Sequence, residues 1–508
     1  MKRALKFLTS RLFIFSVLIL LQILLIAFAI LYLTNDYVYF YAAFTILSLV
    51  IVIHVINKTD NPMFKLAWII PILLFPVFGG LFYLFFGRRG ISKKMKARMQ
   101  EAFEASERFL PMEDGTALEA LEAVNPMAAR QARYIAATSC SPVYLHTSTE
   151  LLTPGETFWE SLLKELRRAE RYIFLEYFII KEGRMWDSVL SVLKERAAAG
   201  VEVWVIYDDV GSINCLPDNY AAALRRMGFK AAVFNPFHPS PDVFMNYRDH
   251  RKLAIIDGRV GFTGGINLAD EYVNIVSRFG YWKDTSMRLE GDAVDKLALM
   301  FLQTWHFTTG EQPDYPKYLT AVPAAADGFV QPFDDSPVNN HLTSELAYIN
   351  MINTARRYVY ISTPYLILDN EMITALTLAA ESGVDVRIVT PYVADKKLIR
   401  LVTRSNYKAL LKRGVHIYEY TPGFMHAKTI IVDDELSIVG TTNFDFRSFY
   451  LHFENGVWMY KSKCIEQVKA DYLKNLAQSQ EITMDFYKKI PIPVRIVSSI
   501  MKLFSPLM

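Results

Sequence analysis

His250-Arg251-Lys252-Leu253-Ala254-Ile255-Ile256-Asp257 and His426-Ala427-Lys428-Thr429-Ile430-Ile431-Val432-Asp433 are two copies of one pattern, HxKxxxxD. Each is followed at the same distance by a glycine and an asparagine: Gly264 and Asn267, then Gly440 and Asn443. Four positions recur at one offset, since 426−250, 428−252, 433−257 and 443−267 all give 176. A short motif can arise once by chance, but two copies with matched followers mark an internal duplication.

β-branched and aliphatic residues follow each lysine, and Asp257-Gly258 or Asp433-Asp434 ends the run, so both segments read as strands. Alternation along a strand places His250 with Lys252, and His426 with Lys428, on one face. The same parity puts Asp257 and Asp433 opposite them, where a strand-ending turn or ion pair competes with direct chemistry. A neutral imidazole attacks phosphorus, and a second, protonated one delivers its proton to the departing alcohol. Two lysines and two asparagine amides supply fixed charge and donors around the non-bridging oxygens. This chemistry needs no metal, and the sequence carries no HExxH, Cys/His cluster or DxDxDG loop.

With GGIN and GTTN downstream, the two motifs resemble the phospholipase D superfamily. The fuller text FMHAKTIIVDDELSIVGTTNFDFRSFYLHFE (424–454) is similar to its bacterial cardiolipin synthase branch, as are YRDHRKLAIIDGRVGFTGGIN (247–267) and YWKDTSMRLEG (281–291). NPMFKLAWIIPILLFPVFGGLFYLFFGRR (61–89) resembles the membrane segment that precedes the catalytic halves in that branch.

The resemblance implies a phosphohistidine on His250, with His426 as acid and then base. It makes Lys252, Lys428, Asn267 and Asn443 phosphate-binding, and includes Asp257 and Asp433 in the catalytic signature. It also places Asp284 and Glu454 as carboxylates that orient the imidazoles. Gly265 and Thr441 stand where the family commonly has serine, so a hydroxyl contact to phosphate is expected in the second half only. The activity implied is phosphatidyl transfer between two phosphatidylglycerol molecules, giving cardiolipin and glycerol, without a cofactor and without nucleic acid as partner. A hydrolytic phospholipase D, another phosphatidyltransferase or a superfamily nuclease are the alternatives.

The chain has 508 residues, is 52% hydrophobic and carries a formal charge of +3, too small an excess to imply nucleic acid. Cys140, Cys215 and Cys464 show no paired spacing, so neither a disulfide framework nor a zinc site is indicated. Leu12–Leu33 and Val38–Ile56 are apolar runs long enough for a hydrocarbon core of about 30 Å, and the first has no cleavage site of a secretory signal. A third run, Phe64–Phe86, contains Pro71, Pro76 and Gly79-Gly80 and reads as re-entrant or spanning. Lys2, Arg3, Lys6 and Arg11 precede the first run; Lys58 and Lys65 follow the second; Arg88, Arg89, Lys93, Lys94, Lys96 and Arg98 follow the third. Two spans plus a re-entrant segment place every basic cluster, and the catalytic halves, on the cytoplasmic side of a bacterial cell membrane.

The expected organisation is therefore a membrane region over 1–90 and a connector helix over 91–138. A first α/β half follows over 139–314, a linker over 315–338, a second half over 339–480 and an amphipathic tail over 481–508. Helix–strand alternation in both halves argues duplicated α/β layered domains related by a pseudo-twofold axis, which the resemblance implies are phospholipase D-like α/β/α sandwiches. Phe234, Phe237, Phe244 and Met245 are candidates for an acyl-chain approach. His54 and His238 are assigned no ligand or catalytic role. The tail, with Lys488, Lys489, Arg495 and Lys502 among apolar residues, suits the membrane interface.

Overall fold

The computed structural model describes residues 20, 24, 37–87, 93–109, 115–237, 246–338 and 341–507. The first apolar run therefore lies outside the described residues apart from Leu20 and Leu24, as do Phe244, Met245 and His238. Among the described residues no helix is long and apolar enough to cross a membrane. The second run forms helix α1 (Tyr37–Ile56). The third divides into α2 (Pro62–Leu74) and α3 (Pro76–Phe86) at Phe75, whose φ of −130° and ψ of 71° leave the helical region. Pro76 causes the break, because it disfavours helical geometry in the residue before it and lacks an amide donor. At 1.5 Å per residue, α2 and α3 are roughly 20 and 16 Å long, each shorter than the ~30 Å hydrocarbon core. They fold against one another and against α1 because Gly79 and Gly80 lack side chains. A Cβ on Gly79 would lie 2.5 Å from the Pro71 carbonyl oxygen, and one on Gly80 would lie 3.0 Å from Ile51 Cδ1.

The remainder is built on two main sheets. The first contains β1 (Thr147–Leu152), β2 (Tyr172–Tyr177), β3 (Glu202–Asp208), β4 (Lys230–Phe234), β6 (Lys252–Ile256), β7 (Val260–Gly264) and β9 (Ser286–Gly291), in the order β1-β9-β7-β6-β2-β3-β4. The second contains β10 (Phe329–Asp335), β11 (Tyr358–Ser362), β12 (Asp385–Pro391), β13 (His416–Tyr420), β15 (Thr429–Val432), β16 (Leu436–Gly440), β17 (His452–Tyr460) and β18 (Ser479–Ile482), in the order β10-β17-β16-β15-β11-β12-β13-β18. Apart from β18 the two orders match strand for strand. In each, three parallel strands (β2-β3-β4 or β11-β12-β13) meet an antiparallel motif strand, β6 or β15.

Both faces of the first sheet are covered, which is why its strands are apolar at nearly every position. Ile173 and Leu175 of β2 belong to the same core cluster as Phe158 and Leu162 of the helix Gly155–Arg167. Phe174, pointing the other way, stacks on Phe301 of the helix Val294–Thr309 at 4.5 Å between ring centroids. In the second sheet Val359 and Ile361 share a cluster with Tyr348 and Met351, while Tyr360 stacks on Tyr472 of the helix Cys464–Ala477 at 4.9 Å.

Three expectations need correction. The connector is not one helix but three, Lys93–Glu107, Thr116–Val124 and Pro126–Ser139, with Gly115 (φ 79°) preceding the second and Asn125 capping the third. Leu121, Ala129 and Ile135 of these helices are buried in the second core, so this stretch belongs to the catalytic unit. The linker hides β10, whose seven residues are all buried. Pro332 is tolerated there because β10 pairs with only one full strand, β17. The second half thus begins before residue 339. Finally, Phe234 has no exposed surface and packs on Phe307 and Phe453, so it is core and not the lining of an acyl path.

Candidate active site

Each motif histidine stands just before its strand, held by the other half of the chain. The short strand β5 (Arg248–Asp249) runs parallel to the start of β17, and the His250 amide donates to the Phe453 carbonyl at 2.9 Å. Likewise β14 (Gly423–Met425) pairs with β8 (Tyr281–Lys283), and the His426 amide donates to the Lys283 carbonyl at 2.7 Å. The residue that follows Phe453 is Glu454, and the one that follows Lys283 is Asp284. The pairing therefore delivers each carboxylate to the other half's histidine.

His250 Nδ1 lies 2.9 Å from both Glu454 carboxylate oxygens, and His426 Nδ1 lies 2.6 Å from Asp284 Oδ2. Both acids are fully buried. An Nδ1–H donated to a carboxylate fixes the tautomer and leaves Nε2 with its lone pair. Lys428 Nζ also stands 2.9 Å from His426 Nδ1. That ring nitrogen cannot accept while it donates, and the shorter contact to a carboxylate takes its proton. Lys252 and Lys428 each donate to the carbonyl of the histidine two residues before it, which clamps ammonium and imidazole together.

Burial and cationic neighbours set the charge state. His250 is held well below the usual imidazole range by burial, then by Lys252, Lys428 and His426. His426 is pushed down to about 4 by burial and Lys428, against the pull of Asp284. Burial also lowers Lys252 to about 7 and Lys428 to about 8. Burial alone would raise Asp284, but His426 and Lys428 outweigh it and hold the carboxyl below its ordinary value. A cluster whose cations are depressed while its buried acids are occupied is short of negative charge, and an anion entering it would raise all four bases.

Asp257 and Asp433 do not join this cluster. Asp257 accepts from the amides of Glu170, Arg171 and Tyr172 at 2.8, 2.8 and 2.9 Å, and Asp433 from Arg356, Arg357 and Tyr358 at 2.7, 2.8 and 2.9 Å. Both have φ of 56°. Five residues at about 3.3 Å each separate them from their lysines. They tie the end of each motif strand to the start of its neighbour, β2 or β11.

The asparagines differ from one another. Asn267 Oδ1 accepts from the Ile179 amide at 3.0 Å, and its Nδ2 donates to Tyr272 Oη at 2.8 Å. The buried Asn443 side-chain oxygen has no hydrogen-bond partner.

Thr441 does retain a hydroxyl, but it donates to Glu454 Oε2 at 2.5 Å, supporting the carboxylate that holds His250. A Cβ on Gly265 would lie 2.1 Å from Asp284 Oδ1. The shorter aspartate is drawn so close to the backbone that no side chain fits. The glycine and the threonine are thus matched to the acid each accompanies.

Sequence reading missed His452 and Arg447. The His452 ring lies 5.3 Å from that of His250, and Arg447 Nε donates to His452 Nε2 at 3.3 Å. Their signal was present, since both sit within the quoted second-motif text. His250, His452 and Glu454 also form the one His/carboxylate group among the described residues whose ligand atoms lie within 4.8 Å of one another.

Residues 162–277 and 348–476 match the family described as "Cardiolipin synthase, PLD-like domain", and residues 46–88 match "Phospholipase_D-nuclease N-terminal". An uncharacterized protein of Streptococcus mutans is 41% identical over 459 residues, covering 90% of this chain and 99% of its own. A cardiolipin synthase of Alkalihalophilus pseudofirmus is 36% identical over 471 residues, covering 92% and 93%. Among solved structures, phosphatidylserine synthase of Haemophilus influenzae superposes with a TM-score of 0.56 at 12% identity, covering 75% of this chain and all of that one. That likeness shows an α/β phospholipase D-like fold. By the family match and the extent of its relatives, the chain belongs to the cardiolipin synthase family of the phospholipase D superfamily.

Proposed function

We propose that the protein is a cardiolipin synthase, a membrane-associated phosphatidyltransferase that joins two phosphatidylglycerol molecules. The observation that carries this reading is the pair of buried imidazoles, each with Nδ1 on a carboxylate and each beside a lysine, in a chain of this family.

In this scheme His250 Nε2 attacks the phosphorus of the donor lipid and the bond to glycerol breaks. His426 Nε2 gives its proton to the leaving oxygen. In the free protein His426 is neutral, so the phosphodiester anion must raise its affinity for a proton on arrival. Substrate and catalytic proton thus enter together. Lys252, Lys428 and the Asn443 amide hold the non-bridging oxygens. His426, now neutral, takes a proton from the hydroxyl of the second phosphatidylglycerol, which displaces the phosphohistidine. A cleft open to a lipid alcohol and closed to water favours cardiolipin over phosphatidic acid.

The matching strand orders support an ancestral duplication with a pseudo-twofold axis between the sheets. The apolar runs at the N-terminus and the exposed Ile492, Ile496, Val497 and Ile500 of the tail helix support contact with the bilayer. We place the catalytic halves on the cytoplasmic side, where the basic clusters lie. The test is purified protein with labelled phosphatidylglycerol and a chelator. Equal yields of glycerol and a four-chain lipid are expected, whereas phosphatidic acid alone would identify a hydrolase.

A further inference from the structure

We propose that Arg447, with His452, forms a second anion site beside His250 that receives the phosphodiester of the acceptor lipid. This inference rests on the phosphatidyl-transfer reading above.

Arg447 lies deep in the fold yet keeps partial access to solvent. Among the described residues its guanidinium has no carboxylate partner, and its one hydrogen bond runs from Nε to the His452 ring. Arg248, the other arginine of this corner, has Asp208 at 3.5 Å. Burial pulls the Arg447 pKa down, an effect that the nearby Asp445 and Asp208 offset only in part and to which Arg248 adds repulsion. A desolvated guanidinium without an anion is costly, and chains keep such groups where a ligand completes them. The planar fork suits two phosphate oxygens at once.

Its position fits the acceptor. Arg447 touches His452, and the His452 ring is 5.3 Å from His250, the atom-bearing ring of the covalent intermediate. The buried His452 Nδ1 forms no aligned hydrogen bond, although Glu454 Oε1 lies 3.4 Å away. In cardiolipin two phosphates flank one glycerol. An acceptor that attacks at one end of that glycerol therefore brings its own phosphate to a point beside the first. Lysines 252 and 428 serve the reacting phosphorus, which leaves Arg447, without a carboxylate partner among the described residues, as the cation that touches His452. Water and glycerol lack the second phosphate and gain nothing from it. In the transfer step the His250 Nε2–P bond breaks, the acceptor O–P bond forms, and the hydroxyl proton passes to His426 Nε2. Arg447 takes no part in that exchange.

The experiment is acceptor competition: phosphatidylglycerol vesicles, labelled free glycerol, and the full-length protein. Cardiolipin reports the lipid acceptor, and labelled phosphatidylglycerol reports glycerol exchange on the same phosphohistidine. In Arg447→Gln the ratio of cardiolipin to exchange product should fall about tenfold or more. Arg447→Lys, which keeps a point charge, should show a smaller fall and provides the same readout if the glutamine variant does not fold. Inorganic phosphate added to wild type should lower the ratio if the site accepts any phosphate. An undiminished ratio would restrict it to the lipid phosphodiester, provided the variants still lower it. A ratio that stays at the wild-type value in the variants, with both products falling together, overturns the inference. Failure of the wild-type protein to form either product would instead sink the transfer reading itself.

Discussion

Both carboxylate oxygens of Glu454 lie 2.9 Å from Nδ1 of His250, from a strand of the other sheet and 204 residues further along the chain. Asp284 reaches back to His426 across 142 residues in the opposite sense. The candidate catalytic centre is thus assembled by exchange between the halves.

Removing either exchange should cripple turnover without emptying the site. Glu454→Gln and Asp284→Asn keep shape but no longer fix the reactive tautomer, so each should lower cardiolipin formation about a hundredfold or more. Product assays on protein of unchanged circular dichroism check this. Activity within a few-fold of wild type would contradict the assigned roles.

Gly265 and Thr441 should respond in opposite ways. Gly265→Ser, which restores the residue common in the family, introduces a Cβ where Asp284 Oδ1 lies 2.1 Å away and should displace the carboxylate. Activity should drop at least about tenfold. Thr441→Ser keeps the hydroxyl bonded to Glu454 and should stay near wild type, whereas Thr441→Val should lose about tenfold. Steady-state rates for the three variants decide the matter.

Asp257→Ala and Asp433→Ala should behave as stability variants. Each leaves three backbone amides without their acceptor, a loss of about 1–3 kcal/mol that thermal unfolding measures. Folded protein should retain far more activity than His250→Ala. Equal inactivation by all three changes would return the aspartates to the chemistry.

The lysines dictate the alkaline limb. Their pKa values are lowered, to about 7 for Lys252 and about 8 for Lys428, so the charged form that binds phosphate is lost as pH rises through that range in the free protein. kcat/KM should therefore fall above about pH 7–8. The limb in kcat should lie higher, because bound phosphate restores the protons. A kcat/KM profile flat to pH 9 would contradict this.

Much of this was legible in the sequence because it is local. The HxKxxxxD strands and the helix–strand alternation of both halves follow from short-range pattern, and the family resemblance implies Asp284 and Glu454 near the site. What could not be read is long-range. Which acid serves which histidine depends on the β5–β17 and β14–β8 pairings, each made across the two halves. β10 reads as linker because Pro332 and the preceding Pro/Ala/Gly run resemble a loop, and only its edge position permits a strand. The connector reads as continuous because alanine and charge hide two breaks, one between Glu107 and Thr116 and one where Asn125 caps the helix that begins at Pro126. Arg447 stands within the quoted motif text, but that no carboxylate among the described residues pairs with it is visible only in three dimensions.

The reciprocal loan of carboxylates has an evolutionary corollary. A solitary copy of either repeat would own an imidazole and a lysine yet lack the anchor for its ring, so fission of the gene would yield two inert products. Activity should reappear only on co-expression, when the fragments reassociate and each regains what its sibling holds in trust.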